Sequence, residues 1–368
     1  MKKVVVGIVG TGNISPIYLK NLTQVFNEIV YVKGVCDLIP QRSAKAAADW
    51  NVPVIYDTMY DMFKDQEIEL VLNLTTPKDH YGVAIEALRH GKHTHSEKPM
   101  AVNRADAREL ISLAEEKGLL IGVAPDTFMG AGIQTCRKYL DDGYIGKAIG
   151  AAAYMTCPGH ESWHPDPEFY YQSGGGPMLD MGPYYVTALI SLLGSVKRLT
   201  GCSYKGFDTR TITSEDKYGQ IIDVEVDTHI NGIMEFSSGV LASIIMSFDV
   251  WKSEHPFIEI FGTEGTMQVP DPNCFGGPVR IQRLRGDFLE VPLTHIYEEN
   301  SRGLAVADMA RAIRTGRKHR ANGQLAYHAL DVMLGFGESS DMNKHYFPDS
   351  ACERPEPMPM GIIKGRLD

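Results

Sequence analysis

A chain of 368 residues is too long for one hydrophobic core and points to two domains, and 43% hydrophobic with 22% charged residues marks an ordinary globular protein. A formal net charge of -10 argues against nucleic acid or an anionic membrane as partner, because both select basic surfaces. Six scattered cysteines with no Cys-x-x-Cys pair indicate neither a disulfide framework nor a thiolate zinc site and fit a cytoplasmic protein, and no apolar run approaches the ~20 residues that a spanning helix needs.

Residues 4–9 are a β-branched run that meets Gly10 without a signal-peptide cleavage pattern, so they are expected to be the first buried strand. They lead into Gly10-Thr11-Gly12-Asn13-Ile14-Ser15 and a helical stretch over 16–26. That order suits a dinucleotide turn: Gly10 permits the tight bend, and Gly12 lets the backbone approach a pyrophosphate at the helix amino end. A second strand, 29–35, ends in Cys36-Asp37, near the offset of ~20 residues at which a carboxylate holds a ribose 2′-hydroxyl and repels a 2′-phosphate. The alternative for Asp37 is a turn residue ahead of Pro40. NAD is therefore expected over NADP, with Arg42 placed to pair with Asp37 or with a phosphate.

Helices are expected over 42–50, 59–64, 79–89 and 104–117, and strands over 54–56, 70–74 and 119–123. Such alternation means a mostly parallel sheet with helices on both faces, so residues 1–124 read as a Rossmann domain of an α/β protein. Within it, His95-Ser96-Glu97-Lys98-Pro99 ends a strand, and the proline keeps Lys98 out of a helix. Lys98 is thus presented on a loop at the carboxyl edge of the sheet, where open α/β sheets bind ligands.

Beyond Pro125 a second, α+β domain is expected over 125–345, with helices over 133–140, 177–193, 302–315 and 326–338. Strand 148–156 and period-two stretches over 224–236, 240–248, 257–261, 267–269, 279–284 and 288–293 suggest a largely antiparallel open sheet. Residues 346–368, with Pro348, Pro355, Pro357 and Pro359, read as an extended or disordered arm. His160-Glu161-Ser162-Trp163-His164 matches the zinc-peptidase pattern, which works only on a helix, and Pro158, Pro165 and Pro167 deny it one. No metal is expected there. The stretch reads instead as a pocket loop in which Trp163 and the histidines stack on and hydrogen-bond a polar ring.

In this order, Gly10-Thr11-Gly12-Asn13-Ile14, Thr75-Thr76-Pro77, Gly91-Lys92-His93 running to Glu97-Lys98-Pro99, and Gly174-Gly175-Gly176 with Asp180 and Gly182 resemble the Gfo/Idh/MocA oxidoreductases over nearly the whole chain. The resemblance implies a two-domain NAD(P)-dependent enzyme moving a hydride between nicotinamide and a carbon bearing a hydroxyl, typically on a sugar or cyclitol. It implies Lys98 beside nicotinamide and substrate and Glu97 near the nicotinamide ribose. Cofactor contacts are expected from Gly10, Gly12, Asn13, Ile14, Asp37, Arg42, Thr75, Thr76, Pro77, His80 and Glu97. Substrate contacts are expected from Lys98, Trp163, His164, Asp180 and Tyr184. Many members carry a histidine four residues after the aspartate; here Asp180 is followed at that spacing by Tyr184. Positions four apart share a helical face, so a phenol takes the imidazole's place, and a neighbouring ammonium favours its ionised form. Lys98, Tyr184 and Asp180 are the expected catalytic set, with Tyr184 or His164 exchanging the proton. Pro183 either starts or kinks that helix. A dihydrodiol-type dehydrogenase acting on non-sugar diols and a cofactor-binding sensor without turnover are the alternatives. The period-two sheet has more face than the helices can cover, so a homo-oligomer is expected.

Overall fold

The computed structural model describes residues 1–367. Runs such as Val4-Val5-Val6 and Leu70-Val71-Leu72 have no polar face and need cover on both sides, which a parallel sheet between helices provides. Strands β1 (Val4–Val9), β2 (Val30–Cys36), β3 (Val54–Ile55), β4 (Leu70–Asn73), β5 (His93–Ser96) and β6 (Ile121–Val123) form that sheet in the order β3-β2-β1-β4-β5-β6, all pairs parallel. The order reverses between β1 and β4, and the crevice beyond their carboxyl ends is the ligand position of such sheets. Helices α1 (Ser15–Lys20), α2 (Pro40–Trp50), α3 (Met59–Lys64), α4 (His80–Arg89) and α5 (Arg104–Lys117) connect them. The helix expected over 16–26 ends at Lys20 and continues as a π-helical turn, Asn21–Val25. Buried Asn21 there donates across to the carbonyls of Asn300 (3.0 Å) and Arg302 (2.8 Å).

The second sheet has eight strands in the order β16-β15-β14-β13-β7-β12-β11-β8. They are β7 (Ala148–Thr156), β8 (Val196–Tyr204), β11 (His229–Phe236), β12 (Leu241–Ser247), β13 (Ile258–Gly262), β14 (Gly265–Val269), β15 (Val279–Arg283) and β16 (Leu289–Val291). Only the β7–β12 pair is parallel. β8 was not expected, because Lys197, Arg198, Thr200 and Ser203 interrupt its apolar alternation. The stretch read as one strand from Val224 starts at His229; a separate hairpin, β9 (Thr209–Thr211) with β10 (Ile221–Asp223), precedes it.

Helices α6 (Ala131–Asp141), α7 (Gly176–Asp180), α8 (Gly182–Leu193) and α10 (Gly323–Met342) pack on one face of this sheet, while α9 (Leu304–Thr315) returns to β1 and β6. The single helix expected over 177–193 is broken at Met181, and Pro183 stands in the first turn of α8. Proline lacks the amide that a continuing helix needs and fits a first turn. One apolar cluster runs from Val4 and Tyr18 through Tyr184 and Phe236 to Leu367, so the cores of the two sheets meet instead of standing apart as the length suggested. The proline-rich end is extended but packed: Arg320 donates to the carbonyls of Glu356 and Pro357, Met358 N donates to Gln134, and Met358 and Leu367 are buried.

Candidate active site

The glycine turn after β1 fits a phosphate. Gly10 has φ 91°, and a Cβ there would sit 2.8 Å from the Leu74 backbone, so only glycine serves. A Cβ on Gly12 would meet nothing within 4 Å, leaving open the space that a pyrophosphate requires at the amino end of α1. Ser15, in the third small position, closes the turn by donating its hydroxyl to the Gly12 carbonyl (2.8 Å). Asn13 is exposed and Ile14 half-buried beside it. Asp37 follows β2, and its carboxylate accepts from Thr11 N (2.7 Å), the Thr11 hydroxyl (3.1 Å) and Ile39 N (2.8 Å). The carboxylate is thus locked to the glycine turn and half-exposed, while Arg42 stands exposed on α2.

On the other side of the crevice, the loop after β4 is tied from below. The Thr75 hydroxyl donates to Asn73 (2.6 Å) and the Thr76 hydroxyl to Asp79 (2.6 Å), with Pro77 half-buried between them. His80 is buried, with Nδ1 2.7 Å from the Pro99 carbonyl and Nε2 3.1 Å from that of Thr75. It therefore fastens the two loops together from inside the protein. Glu97 accepts from the Tyr18 hydroxyl (2.6 Å) and from Lys98 N (3.0 Å).

Lys98 reaches across to the second domain. Its Nζ donates to the Asp180 carbonyl (2.5 Å) and to Asp180 Oδ1 (2.7 Å), and lies 5.3 Å from the centre of the Tyr184 ring. Burial opposes the ammonium, but Asp180, Tyr184 and Glu97 outweigh it and hold the lysine charged well above its ordinary value. Asp180 ends α7 and Tyr184 lies in the first turn of α8, so they do not share one helix, yet Lys98 brings them together. Burial raises the pKa of the Tyr184 phenol, Lys98 and Arg302 oppose the rise, and Glu97 adds to it.

The 157–164 loop places its histidines differently from the sequence expectation. His164 accepts from Asp166 N (3.0 Å) and packs against Phe169, Tyr170 and Trp163. His160 is the one that faces the lysine: its Nε2 is 3.8 Å from Asp180 Oδ2, and neither ring nitrogen has a hydrogen-bond partner. Its ring is held by Tyr170 (4.1 Å), Phe248 (4.5 Å) and Trp163 (5.4 Å), and burial keeps it neutral below the usual histidine range, against the pull of Asp180. The segment is a turn and not a helix, and Glu161 is taken by Arg210 (2.9 Å) and the Tyr171 hydroxyl. Among the described residues no group of three or more histidines, cysteines and carboxylates is placed to hold a metal ion. Trp163 is 61% exposed at the rim.

Three contributors escaped the sequence reading. Tyr170 lies near Asp180, Lys98 and Tyr184, its phenol pushed up to about 12 by burial and then by Asp180. His160 is expected from the sequence to stack on and hydrogen-bond a polar ring, but its place beside Asp180 is not. Arg302, expected only as a helix start, places a positive charge that opposes the rise of the Tyr184 phenol and is itself raised by it. No local pattern marks these residues, since each meets partners distant in the chain.

A family model described as "Oxidoreductase family, NAD-binding Rossmann fold" matches residues 4–124, and one described as "GFO/IDH/MocA C-terminal domain" matches residues 133–268. The chain is 25% identical to trans-1,2-dihydrobenzene-1,2-diol dehydrogenase of Bos taurus over 78% of this chain and 79% of that one. It is 26% identical to 1,5-anhydro-D-fructose reductase of Ensifer adhaerens over 62% of this chain and 64% of that one. A solved structure of levoglucosan dehydrogenase in complex with NADH shares the fold, with a TM-score of 0.82 and 17% identity over 95% of this chain and 100% of that one.

Proposed function

The chain belongs to the Gfo/Idh/MocA oxidoreductases, an NAD-dependent dehydrogenase or reductase, and we propose that its substrate is a secondary alcohol or ketone of a sugar, glycoside or cyclic polyol. The observation that carries this reading is the convergence of Lys98, Asp180, His160 and Tyr184 at the carboxyl edge of the first sheet. Several polar groups within one small space suit a molecule with adjacent hydroxyls, and Trp163 and Tyr170 offer faces for its ring. A second reading, a non-sugar dihydrodiol, is favoured by the aromatic wall of Trp163, Phe169 and Tyr170 and by the similarity to a protein named for that activity.

NAD supplies the hydride acceptor or donor. Gly10, Gly12, Asn13 and Ile14 would hold its pyrophosphate, Asp37 its adenosine ribose, and the Thr75–Pro77 loop with Glu97 the nicotinamide half. An ammonium has three donors, and two of those on Lys98 are engaged by Asp180, which leaves one for the substrate oxygen. Charge develops on that oxygen as the hydride moves, so a fixed donor there acts mainly in the transition state. Tyr184 exchanges the proton, and His160, neutral and unpartnered, hydrogen-bonds a neighbouring hydroxyl.

The test is a screen of sugars, glycosides, cyclitols and a dihydrodiol with NAD+ and NADP+, and of the matching ketones with the reduced cofactors, read by cofactor absorbance. Turnover with a cyclic polyol, faster with NAD+ than with NADP+, is expected. Lys98→Met should lower kcat by at least about 10²-fold while NADH affinity stays near wild type, because the pyrophosphate and ribose are held elsewhere. Turnover confined to the dihydrodiol would establish the second reading. An unchanged kcat in Lys98→Met would remove the lysine from the chemistry.

A further inference from the structure

The turns that follow β1 and β2 are stitched together at Thr11. Gly10 N donates to the Cys36 carbonyl (2.9 Å), and one residue on, Thr11 N (2.7 Å) and the Thr11 hydroxyl (3.1 Å) both donate to Asp37 Oδ2. Asp37 Oδ1 accepts from Ile39 N (2.8 Å). Thr11 is 7% exposed, so its hydroxyl needs a partner inside the protein, and the one it takes is the carboxylate. All three donors to Asp37 are neutral, and Arg42, exposed on α2, is not among them. The carboxylate therefore keeps its charge undiluted in one fixed orientation. We propose that Thr11 is a positioning residue for cofactor selection: by tying Asp37 to the glycine turn, its hydroxyl keeps the carboxylate facing the adenosine ribose and so makes the chain select NAD over NADP.

An ionised carboxylate offers about four lone-pair sites, and on Asp37 the bonds from Thr11 fill both of those on Oδ2 while Ile39 fills one on Oδ1. The site left on Oδ1 can accept from a ribose hydroxyl, which has a proton to donate. A phosphate on the same ribose brings negative charge instead and meets a carboxylate that is already fixed. A carboxylate on a free side chain escapes that repulsion by changing its χ1 rotamer and swinging into solvent. Here the swing breaks the bonds from Thr11 and Ile39 together, and hydrogen bonds to an ionised group are the strong ones. NADP must therefore either displace a locked group or bind against its charge. Because Thr11 belongs to the turn that would hold the pyrophosphate, the same lock fixes the ribose carboxylate relative to the pyrophosphate cradle.

The role of Thr11 rests on Asp37 as the ribose ligand, and the experiment separates the two. Dissociation constants for NADH and NADPH are measured on the full chain by nicotinamide fluorescence, with no substrate present. Thr11→Val keeps the volume and the Thr11 N bond and removes only the hydroxyl. The ratio of the NADPH constant to the NADH constant should fall by about tenfold, the size expected for one hydrogen bond to a charged group, with most of the change in NADPH. Thr11→Ser returns a hydroxyl and should bring the ratio back to within about twofold of wild type. Asp37→Ser should lower the ratio at least as far, and Thr11→Val added to it should lower it no further, since the group that the hydroxyl holds is then gone. Should Thr11→Val not fold by circular dichroism, Thr11→Ala removes the same hydroxyl. An unmoved ratio in Thr11→Val beside a lowered one in Asp37→Ser overturns the role of Thr11, as does a ratio that Thr11→Ser fails to restore. Equal weakening of both cofactors in Thr11→Val also overturns it, leaving Thr11 a part of the pyrophosphate turn alone. An unmoved ratio in Asp37→Ser overturns Asp37 as the ribose ligand.

Discussion

Asp180 has two neighbours whose protons matter differently. Lys98 is held charged by it, whereas His160 is close enough to feel it and buried enough to stay neutral. If Tyr184 carries the proton, Tyr184→Phe removes only a hydroxyl and should cost about 10²–10⁴-fold in kcat. His160→Gln should act mainly on KM, by roughly tenfold, since it alters one hydrogen bond to the substrate. His164→Ala should stay near wild type in both. Collapse of kcat in His160→Gln, with Tyr184→Phe little changed, would transfer the proton to the imidazole. Histidines elsewhere set a different pH dependence. His95 is fully buried with neither ring nitrogen partnered, and burial pushes it down to about 3; burial likewise pushes His328 down to about 4. An unfolded chain protonates its histidines near 6.5, so between that pH and the folded values the unfolded state binds more protons. Stability is complete above pH ~6.5 and falls on acidification, by about 1.4 kcal/mol per pH unit for each such histidine. Denaturant melts across this range should show the fall, and His95→Leu should flatten it. An equal slope in that variant would discount His95.

At the scale of elements, the broken helix and the pinned loop build the site together. The break at Met181 lets α7 present the Asp180 carbonyl and carboxylate while α8 starts afresh and presents Tyr184. Opposite them, the loop bearing His160 is locked by Arg210 of β9. Arg210 donates to Glu161 (2.9 Å), to Asp249 (2.6 Å) and to the Phe248 carbonyl (2.6 Å), the three charged side chains being largely buried. Removing the cation leaves two buried carboxylates unpaired, a loss of about 3–5 kcal/mol. Arg210→Met should therefore lower the thermal midpoint and raise KM as His160 loses its seat, with kcat changing less. A midpoint close to wild type would show that the hairpin adds little to holding the loop.

Over the whole molecule, the second sheet is covered on one face only. On the other, Ile233 opposes Ser243, which opposes Ala152, and Ile233 and Leu241 stand more than half exposed. Helices α6, α7 and α10 make their contacts with the sheet from the covered side, and α8 packs on α6, α7 and α10. A broad face mixing aliphatic with small residues is suited to a second copy of itself, and we expect a homo-oligomer built on it. Light scattering at micromolar concentration should give a multiple of the chain mass, and Ser243→Arg at the centre of the face should reduce it. A monomer in the wild type would end this expectation.

Features governed by neighbours in the chain were legible without a structure. The β-branched strand, the glycine turn, the carboxylate after β2 and a lysine stopped by Pro99 each follow from backbone sterics and strand ends, and these act over a few residues. Strand β8 was hidden because its polar side chains fit the half-open face of a sheet whose existence the local pattern does not announce. Residue patterns left open whether Pro183 began a helix or bent one, and tertiary packing settled that it begins α8. The choice of His160 over His164 as the neighbour of Asp180, and the effect of the Arg302 charge on Tyr184, belong to the tertiary structure alone. Those residues lie far apart in the chain, and only the burial that closes one core around both sheets brings their polar groups together.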